Sequence, residues 1–179
     1  MKQDIILAGV GGQGILSIAT VIGSAALEQG LYIKQAEVHG MSQRGGDVQS
    51  HLRLSTDPIY SDLIPHGGAD LVVSLEPMEA LRYLPYLSKD GWIVTSSVPF
   101  QNIPNYPDLD RVLGALRALP RTIVLDVEAT AKQVNSARSA NMVLLGAASA
   151  VMGLLDPDKL RDGIRRIFAR KGDAIVEAN

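Results

Sequence analysis

A short apolar run, Ile5 to Ala8, opens the chain with no alternation of polar and apolar positions. That is the pattern of a strand covered on both faces, as in a parallel sheet. From Ile15 the apolar positions recur at helical spacing, at Ile15, Ile18, Ala19, Ile22 and Ala26, and Gly30 is placed to end that helix near Gln29. Leu31 to Val38 reads as a second strand. Asp47 to Leu54 alternates, with Val48, Ser50, Leu52 and Leu54 on one face and Gln49, His51 and Arg53 on the other, which predicts a half-exposed strand. No helix fits between these two strands, so they are expected as an antiparallel or irregular pair at one side of the sheet.

Asp57-Pro58 marks a turn, and a loop follows through Ile64 to Gly68. Ala69 to Leu75 is a further buried strand. Glu76-Pro77 opens a helix whose stripe is Met78, Leu81, Tyr83-Leu84 and Leu87, and Asp90-Gly91 turns the chain into a strand from Trp92 to Thr95. Ser96 to Pro107 is expected as the longest irregular stretch. A short amphipathic helix carrying Leu109, Val112, Leu113 and Leu116 leads to the last strand, Thr122 to Val127, and Glu128 to Val134 starts another helix. Asn141 to Leu155 is apolar nearly all round and rich in small residues, which predicts a buried, closely packed central helix. Asp156-Pro157 caps the final helix, with Leu160, Ile164 and Ile167 on one side and Arg161, Arg165, Arg166 and Arg170 on the other. With no repeat and no linker, residues 1–179 read as a single domain.

Composition narrows the function. At 179 residues the chain can bury a substantial core, and a net charge of −2 makes no electrostatic case for nucleic acid. Lys2-Gln3-Asp4 leads straight into a strand, so no signal peptide is expected. The longest nearly apolar run, Met142 to Leu155, is shorter than the ~20 residues of a membrane span. A soluble cytoplasmic protein without a membrane partner is the expectation. There is no cysteine, so the chain can form neither a disulfide nor an ordinary iron–sulfur cluster. Any one-electron chemistry must then sit on another chain.

Two loops carry the candidate chemistry. Gly9, Gly11 and Gly14 fall in the G-x-G-x-x-G register between the first strand and the first helix, the order a phosphate cradle requires. The alternative is a tight strand-to-helix packing turn. A dinucleotide fingerprint also wants an acid about 20 residues on, but Lys34 stands near that place and Glu37 comes late. The second loop, His39-Gly40-Met41-Ser42-Gln43-Arg44-Gly45-Gly46, sets one arginine beside paired glycines and two hydrogen-bonding side chains, a plausible anion grip. It can equally be a structured turn in a subunit interface. His39, His51 and His66 have no metal-ligand spacing, and no metal site or catalytic residue is assigned. Glu76, at a strand end before a helix, fits a helix cap better than an acid–base role.

Gly9-Val-Gly-Gly-Gln-Gly14, Glu37-Val-His-Gly-Met-Ser-Gln-Arg-Gly-Gly46, Ala69-Asp70-Leu71 through Leu75-Glu76-Pro77, and Asn141-Met142 with Leu145-Gly146 occur in that order. On these blocks the chain resembles the gamma subunit or domain of 2-oxoacid:ferredoxin oxidoreductases, and within that family the small beta subunit of the indolepyruvate enzymes. The resemblance covers nearly the whole chain. It implies a Rossmann-like three-layer α/β/α sandwich with a mostly parallel sheet. It also implies a role in the oxidative decarboxylation of a 2-oxoacid to acyl-CoA, with electrons passed to ferredoxin. Thiamine diphosphate, magnesium and iron–sulfur clusters are expected on a larger partner, since this chain has no cysteine and no G-D-G motif followed by an asparagine. Coenzyme A is the co-substrate that the two loops would help position, through Gly9, Gly11, Gly12, Gln13, Gly14, Ser42, Gln43, Arg44, Gly45 and Gly46. The rival readings are a pyruvate or 2-oxoglutarate subunit of the same kind, a free-standing NAD-linked dehydrogenase, and a pure interaction module.

Overall fold

The computed structural model describes residues 1–39, 45–101, 103–134 and 136–179, with the backbone alone of His39. Its sheet has six strands: β1 (Lys2–Val10), β2 (Tyr32–His39), β3 (Asp47–Ser55), β4 (Ala69–Ser74), β5 (Leu87–Ser96) and β6 (Thr122–Leu125). They lie side by side as β2-β3-β1-β4-β5-β6. The β1–β4, β4–β5 and β5–β6 pairs are parallel, while β3 is antiparallel to both β1 and β2. The sheet is therefore mostly parallel, with the anticipated antiparallel pair at one side. Seven helices are described: α1 (Ile15–Glu28), α2 (Pro77–Arg82), α3 (Leu109–Arg117), α4 (Val127–Gln133), α5 (Ala140–Ser149), α6 (Pro157–Phe168) and α7 (Asp173–Ala178).

The period of two along β1 explains why its apolar run does not alternate. Ile5 and Leu7 pack with α1, α5 and α6 on one face, and Ile6 and Ala8 with α2, α3 and Ile64 on the other. The result is a three-layer α/β/α sandwich.

β3 is less exposed than its alternation predicts. His51 is only 4% exposed; its Nδ1 accepts the Ile64 N–H at 3.0 Å, and the Tyr86 ring meets it edge-on at 5.2 Å. Residues 56–68 cover this face, where no helix lies, and they form a longer irregular stretch than Ser96 to Pro107. Arg53 holds them: it donates to both oxygens of Asp4 at 2.8 and 3.0 Å and to the carbonyls of Ser61 and Leu63 at 3.1 Å. Burial alone would raise the Asp4 carboxyl, but the bonds from Arg53 and Lys2 outweigh it and hold Asp4 below the usual carboxylate range.

Four other expectations change. The helix after Glu76 stops at Arg82, and β5 begins at Leu87, so Asp90-Gly91 lies within a strand. The register breaks there between Ala69 and Leu71, and a Cβ on Gly91 would stand 2.8 Å from the Ala69 carbonyl oxygen. Glycine at this point permits a bulge rather than making a turn. The helix from Ala140 ends at Ser149, and a Cβ on Gly146 would meet only open space, so the small residues do not mark close packing all round. Finally, α6 is not the last helix, since α7 follows it. Val127, expected at the end of a strand, is the first residue of α4.

Close packing occurs instead between α1 and α6. A Cβ on Gly163 would lie 2.9 Å from the Val21 carbonyl oxygen, and Lys159 and Arg166 reach Glu28 at 2.9 Å each. Arg161 and Arg165 pair with Asp158 and Asp162 on their own helix. Gly163→Ala gains about 1 kcal/mol of helix propensity but drives a methyl into backbone, which costs about 1–3 kcal/mol and more where nothing can move aside. We expect a net loss of about 1–2 kcal/mol in urea unfolding; a stabilised variant would contradict the close approach.

Candidate functional site

The glycine loop lies where the sheet changes hand. α1 leaves the end of β1 toward one face and α2 leaves the end of β4 toward the other, so a crevice opens between these two strand ends. Gln13 spans it. Its Oε1 accepts the Val10 N–H at 2.7 Å, its Nε2 donates to the Leu75 carbonyl at 3.1 Å, and its backbone N–H donates to the Val10 carbonyl at 3.1 Å. Gln13 was expected to touch a cofactor; its side chain is used to close the loop and tie it to β4.

The glycines have separate reasons. A Cβ on Gly9 would sit 2.9 Å from Gln13 Oε1 and 3.0 Å from Ile15, so the brace itself needs glycine there. Gly12 and Gly14 have φ of +105° and +87°, and a Cβ on Gly14 would meet Asn141 Nδ2 at 2.7 Å. Asn141 in turn donates to the Gly14 carbonyl at 3.3 Å and accepts the Met142 N–H. Gly9, Gln13 and Gly14 therefore serve a tight strand-to-helix turn. It does not exclude the cradle: the N–H groups of Gly12, Gly14, Ile15 and Leu16 have no hydrogen-bond partner among the described residues, and they stand at the positive end of α1.

The second loop meets the first. Gly11 donates to the Gly46 carbonyl at 2.8 Å, and Gly45 donates to the Gly11 carbonyl at 3.3 Å, extending the β1–β3 ladder past its last pair, Val10 with Asp47. Gly45 and Gly46 are thus brought to the glycine loop. Ser42, Gln43 and Arg44, with Gly40 and Met41, lie outside the described residues.

Two clefts flank the loop. One, of about 490 Å³, is lined by Val10, Gly11, Gly12, Ile15, Leu16 and Val48. The other, of about 670 Å³, lies between the starts of α1 and α5 and takes in Ser17, Arg138, Asn141 and Lys171. Arg138 and Lys171 escape sequence reading because they come to the loop only through tertiary packing. Glu76 is 1% exposed and acts as the cap of α2, Oε2 accepting the Glu79 N–H at 2.9 Å. Its Oε1 also accepts from Tyr106 and from the Phe100 N–H, so it fastens the 97–107 segment beside the crevice. Asp47, Glu79 and Tyr83 form a part-buried polar cluster at the root of the second loop, without a motif to announce it. Lys34 pairs with Asp62 at 3.3 Å, which leaves no dinucleotide acid in its place. Among the described residues no group of three histidines, aspartates or glutamates is arranged to hold a metal ion, and no helix is long and apolar enough to cross a membrane.

Fold and site together define an α/β domain that presents a glycine loop at a strand-switch crevice. The chain belongs to the pyruvate ferredoxin/flavodoxin oxidoreductase family, whose model matches residues 4–179. It is 39% identical over 153 residues to the indolepyruvate oxidoreductase subunit IorB of Archaeoglobus fulgidus, covering 82% of this chain and 75% of the relative. It is 37% identical to the subunit of the same name from Thermococcus kodakarensis, covering 92% and 86%. Identity to the 2-oxoglutarate synthase subunit KorC of Methanothermobacter marburgensis is 29%, over 92% of this chain and 86% of that one. Among solved structures, a keto/oxoacid ferredoxin oxidoreductase gamma subunit from Geobacter sulfurreducens superposes with a TM-score of 0.71 at 24% identity, covering 99% of this chain and 90% of that one. The 2-oxoglutarate:ferredoxin oxidoreductase of Magnetococcus marinus, solved with 2-oxoglutarate, coenzyme A and succinyl-CoA, superposes with a TM-score of 0.75 at 22% identity. The match takes in 99% of this chain and 29% of that one. These two likenesses establish the fold.

Gln13→Leu fills the same volume but leaves the Val10 N–H and the Leu75 carbonyl unpaired, at about 1–3 kcal/mol for each buried group. Urea unfolding should show a loss of about 2–4 kcal/mol, and Gln13→Glu, which can still accept from Val10, should lose less. Equal stability of Gln13→Leu and the parent would remove the brace from its role.

Proposed function

We propose that this chain is the small, non-redox subunit of an indolepyruvate:ferredoxin oxidoreductase. The observation that carries this reading is the gap in identity: 36–39% to four indolepyruvate oxidoreductase subunits, against 24–29% to the 2-oxoglutarate and pyruvate/ketoisovalerate subunits. The reaction is the oxidative decarboxylation of an arylpyruvate to its acyl-CoA. The residues described here offer no fit to thiamine diphosphate or to an iron–sulfur cluster: the G-D-G motif and the thiolates are both missing from the sequence. We assign both groups, with magnesium, to a larger partner subunit, which passes electrons on to ferredoxin.

This chain's own part is to complete the cleft and receive coenzyme A. Four unpaired N–H groups at the start of α1 suit a phosphate, and Arg138 and Lys171 add positive charge on one side. Arg44, beside Gly45 and Gly46, is assigned to the same anion. Lys34 in its pair with Asp62 counts against an NAD-linked dehydrogenase.

Co-expressed with a cysteine-rich, thiamine-binding partner, the chain should support viologen reduction with indolepyruvate and coenzyme A, with pyruvate and 2-oxoglutarate turned over less efficiently. The chain alone should be colourless and inactive. Preference for 2-oxoglutarate or pyruvate would overturn the substrate assignment, and activity of the lone chain would overturn the division of labour. Arg44→Ala in the complex removes a charge-assisted bond worth about 1.5–3 kcal/mol, so KM for coenzyme A should rise roughly ten- to a hundredfold while KM for the oxoacid barely moves. An intact complex with unchanged dependence on coenzyme A would refute that role.

A further inference from the structure

Asp47 stands at the root of the second loop, opposite Val10 in the ladder and one residue beyond the Gly46 carbonyl that receives the Gly11 N–H. Its Oδ2 accepts the Tyr83 hydroxyl at 2.7 Å, but its Oδ1 is buried and has no donor among the described residues. Glu79 of α2, 3% exposed, lies one helical turn before Tyr83 and pairs with Arg82 through Nε at 2.7 Å and Nη2 at 3.2 Å, and the Asp47 charge bears on it. The cluster thus holds two carboxyls, one guanidinium and one hydroxyl. With both carboxyls ionised it keeps a net negative charge around a buried oxygen that lacks a donor. A single proton cancels the charge and supplies the donor that Asp47 Oδ1 lacks. Among the described residues no third carboxylate or histidine joins the pair to hold a metal ion.

We propose that Glu79 keeps its proton and donates it to Asp47 Oδ1, and that this bond is the positioning device that holds the root of the second loop against the glycine loop. The inference concerns the same site as the proposed function but needs no assumption about the substrate. Burial is the largest influence on Glu79; with the Asp47 charge beside it, it outweighs Arg82 and pushes the carboxyl up to about 7. Tyr83 is raised by burial and then by Asp47, so its hydroxyl remains a donor. Among the described residues Glu76 is also turned toward this place; its carboxyl caps the Glu79 N–H and its second oxygen accepts from Tyr106.

The sign follows from linkage. Between the ordinary glutamate value of 4.5 and about 7, the folded chain keeps a proton that the unfolded chain has released. The stabilisation is complete below that window and is lost as pH rises through about 7. His51, lowered by burial and then by Arg53, has the opposite sign, and it cancels when two variants are compared. The unfolding constant of the full-length chain relative to Glu79→Gln should therefore rise by up to about tenfold per pH unit across the window and flatten above it. Asp47→Asn should also flatten the profile. In hydrogen exchange, protection of the Gly11 and Gly45 amides should fall above pH 7 in the parent and not in Glu79→Gln. Should either variant fail to fold, infrared spectra of the parent should show a protonated buried carboxyl at pH 6 that is gone at pH 8.5. Parallel stability profiles, pH-independent amide protection in the parent, or no such carboxyl band would each overturn the proposal.

Discussion

The reciprocal backbone pairing of Gly11 with Gly45 and Gly46 is the constraint on which this site depends. Two loops far apart in sequence could close over the end of β1 in many ways, but a two-way pair at 2.8 and 3.3 Å admits one register. That register is already set by the β1–β3 ladder, which runs without interruption from Lys2 with Ser55 to Val10 with Asp47. The loop pairing is its continuation. Gln13 then fixes the other side by joining β1 to β4 across the strand-switch crevice. Glycine is needed at Gly9 because Gln13 occupies the space a Cβ would take, and at Gly14 because of its positive φ and because Asn141 lies beneath it.

Support reaches the junction from both layers of helices. On one face Asn141, at the start of α5, sits under the Gly14 carbonyl; on the other, Tyr83, just past the end of α2, holds Asp47. Glu76 connects the second arrangement to the 97–107 segment through Tyr106 and Phe100. A loop tied down in this way leaves its spare N–H groups aimed at a fixed point, which costs a ligand little ordering on arrival. This is a suitable contribution for a subunit whose chain supplies no thiolate and no metal cluster of its own among the described residues.

Much of the fold was legible because its elements obey one period at a time. The apolar run of β1, the stripe of α1 ending at Gly30 and the caps at Glu76 and Asp156 were all readable locally, as was the exposed-to-buried alternation of β3 on one face. The errors arose where a distant segment overrode the local pattern. His51 is buried only because residues 56–68 fold back over it, and Asp90-Gly91 joins a strand only because Ala69 passes close by. The small residues of α5 suggested close packing, yet the helix that needs glycine is α6, where Gly163 touches Val21. At the site the glycine register was visible, but the duties of its members were not. Gln13 braces the loop, a duty its place in the motif does not announce, and Asp47, Glu79, Arg138 and Lys171 carry no motif and reach the loops through packing.

The central claim is that the unpaired amides at the start of α1 receive the phosphate of coenzyme A in the assembled enzyme. Amide hydrogen exchange on the complex of this chain with its larger partner, recorded with and without coenzyme A, reads those amides directly. Protection gained on adding coenzyme A and concentrated at Gly12, Gly14, Ile15 and Leu16 is the predicted result. Unchanged exchange at these four amides in a complex that binds coenzyme A would contradict it.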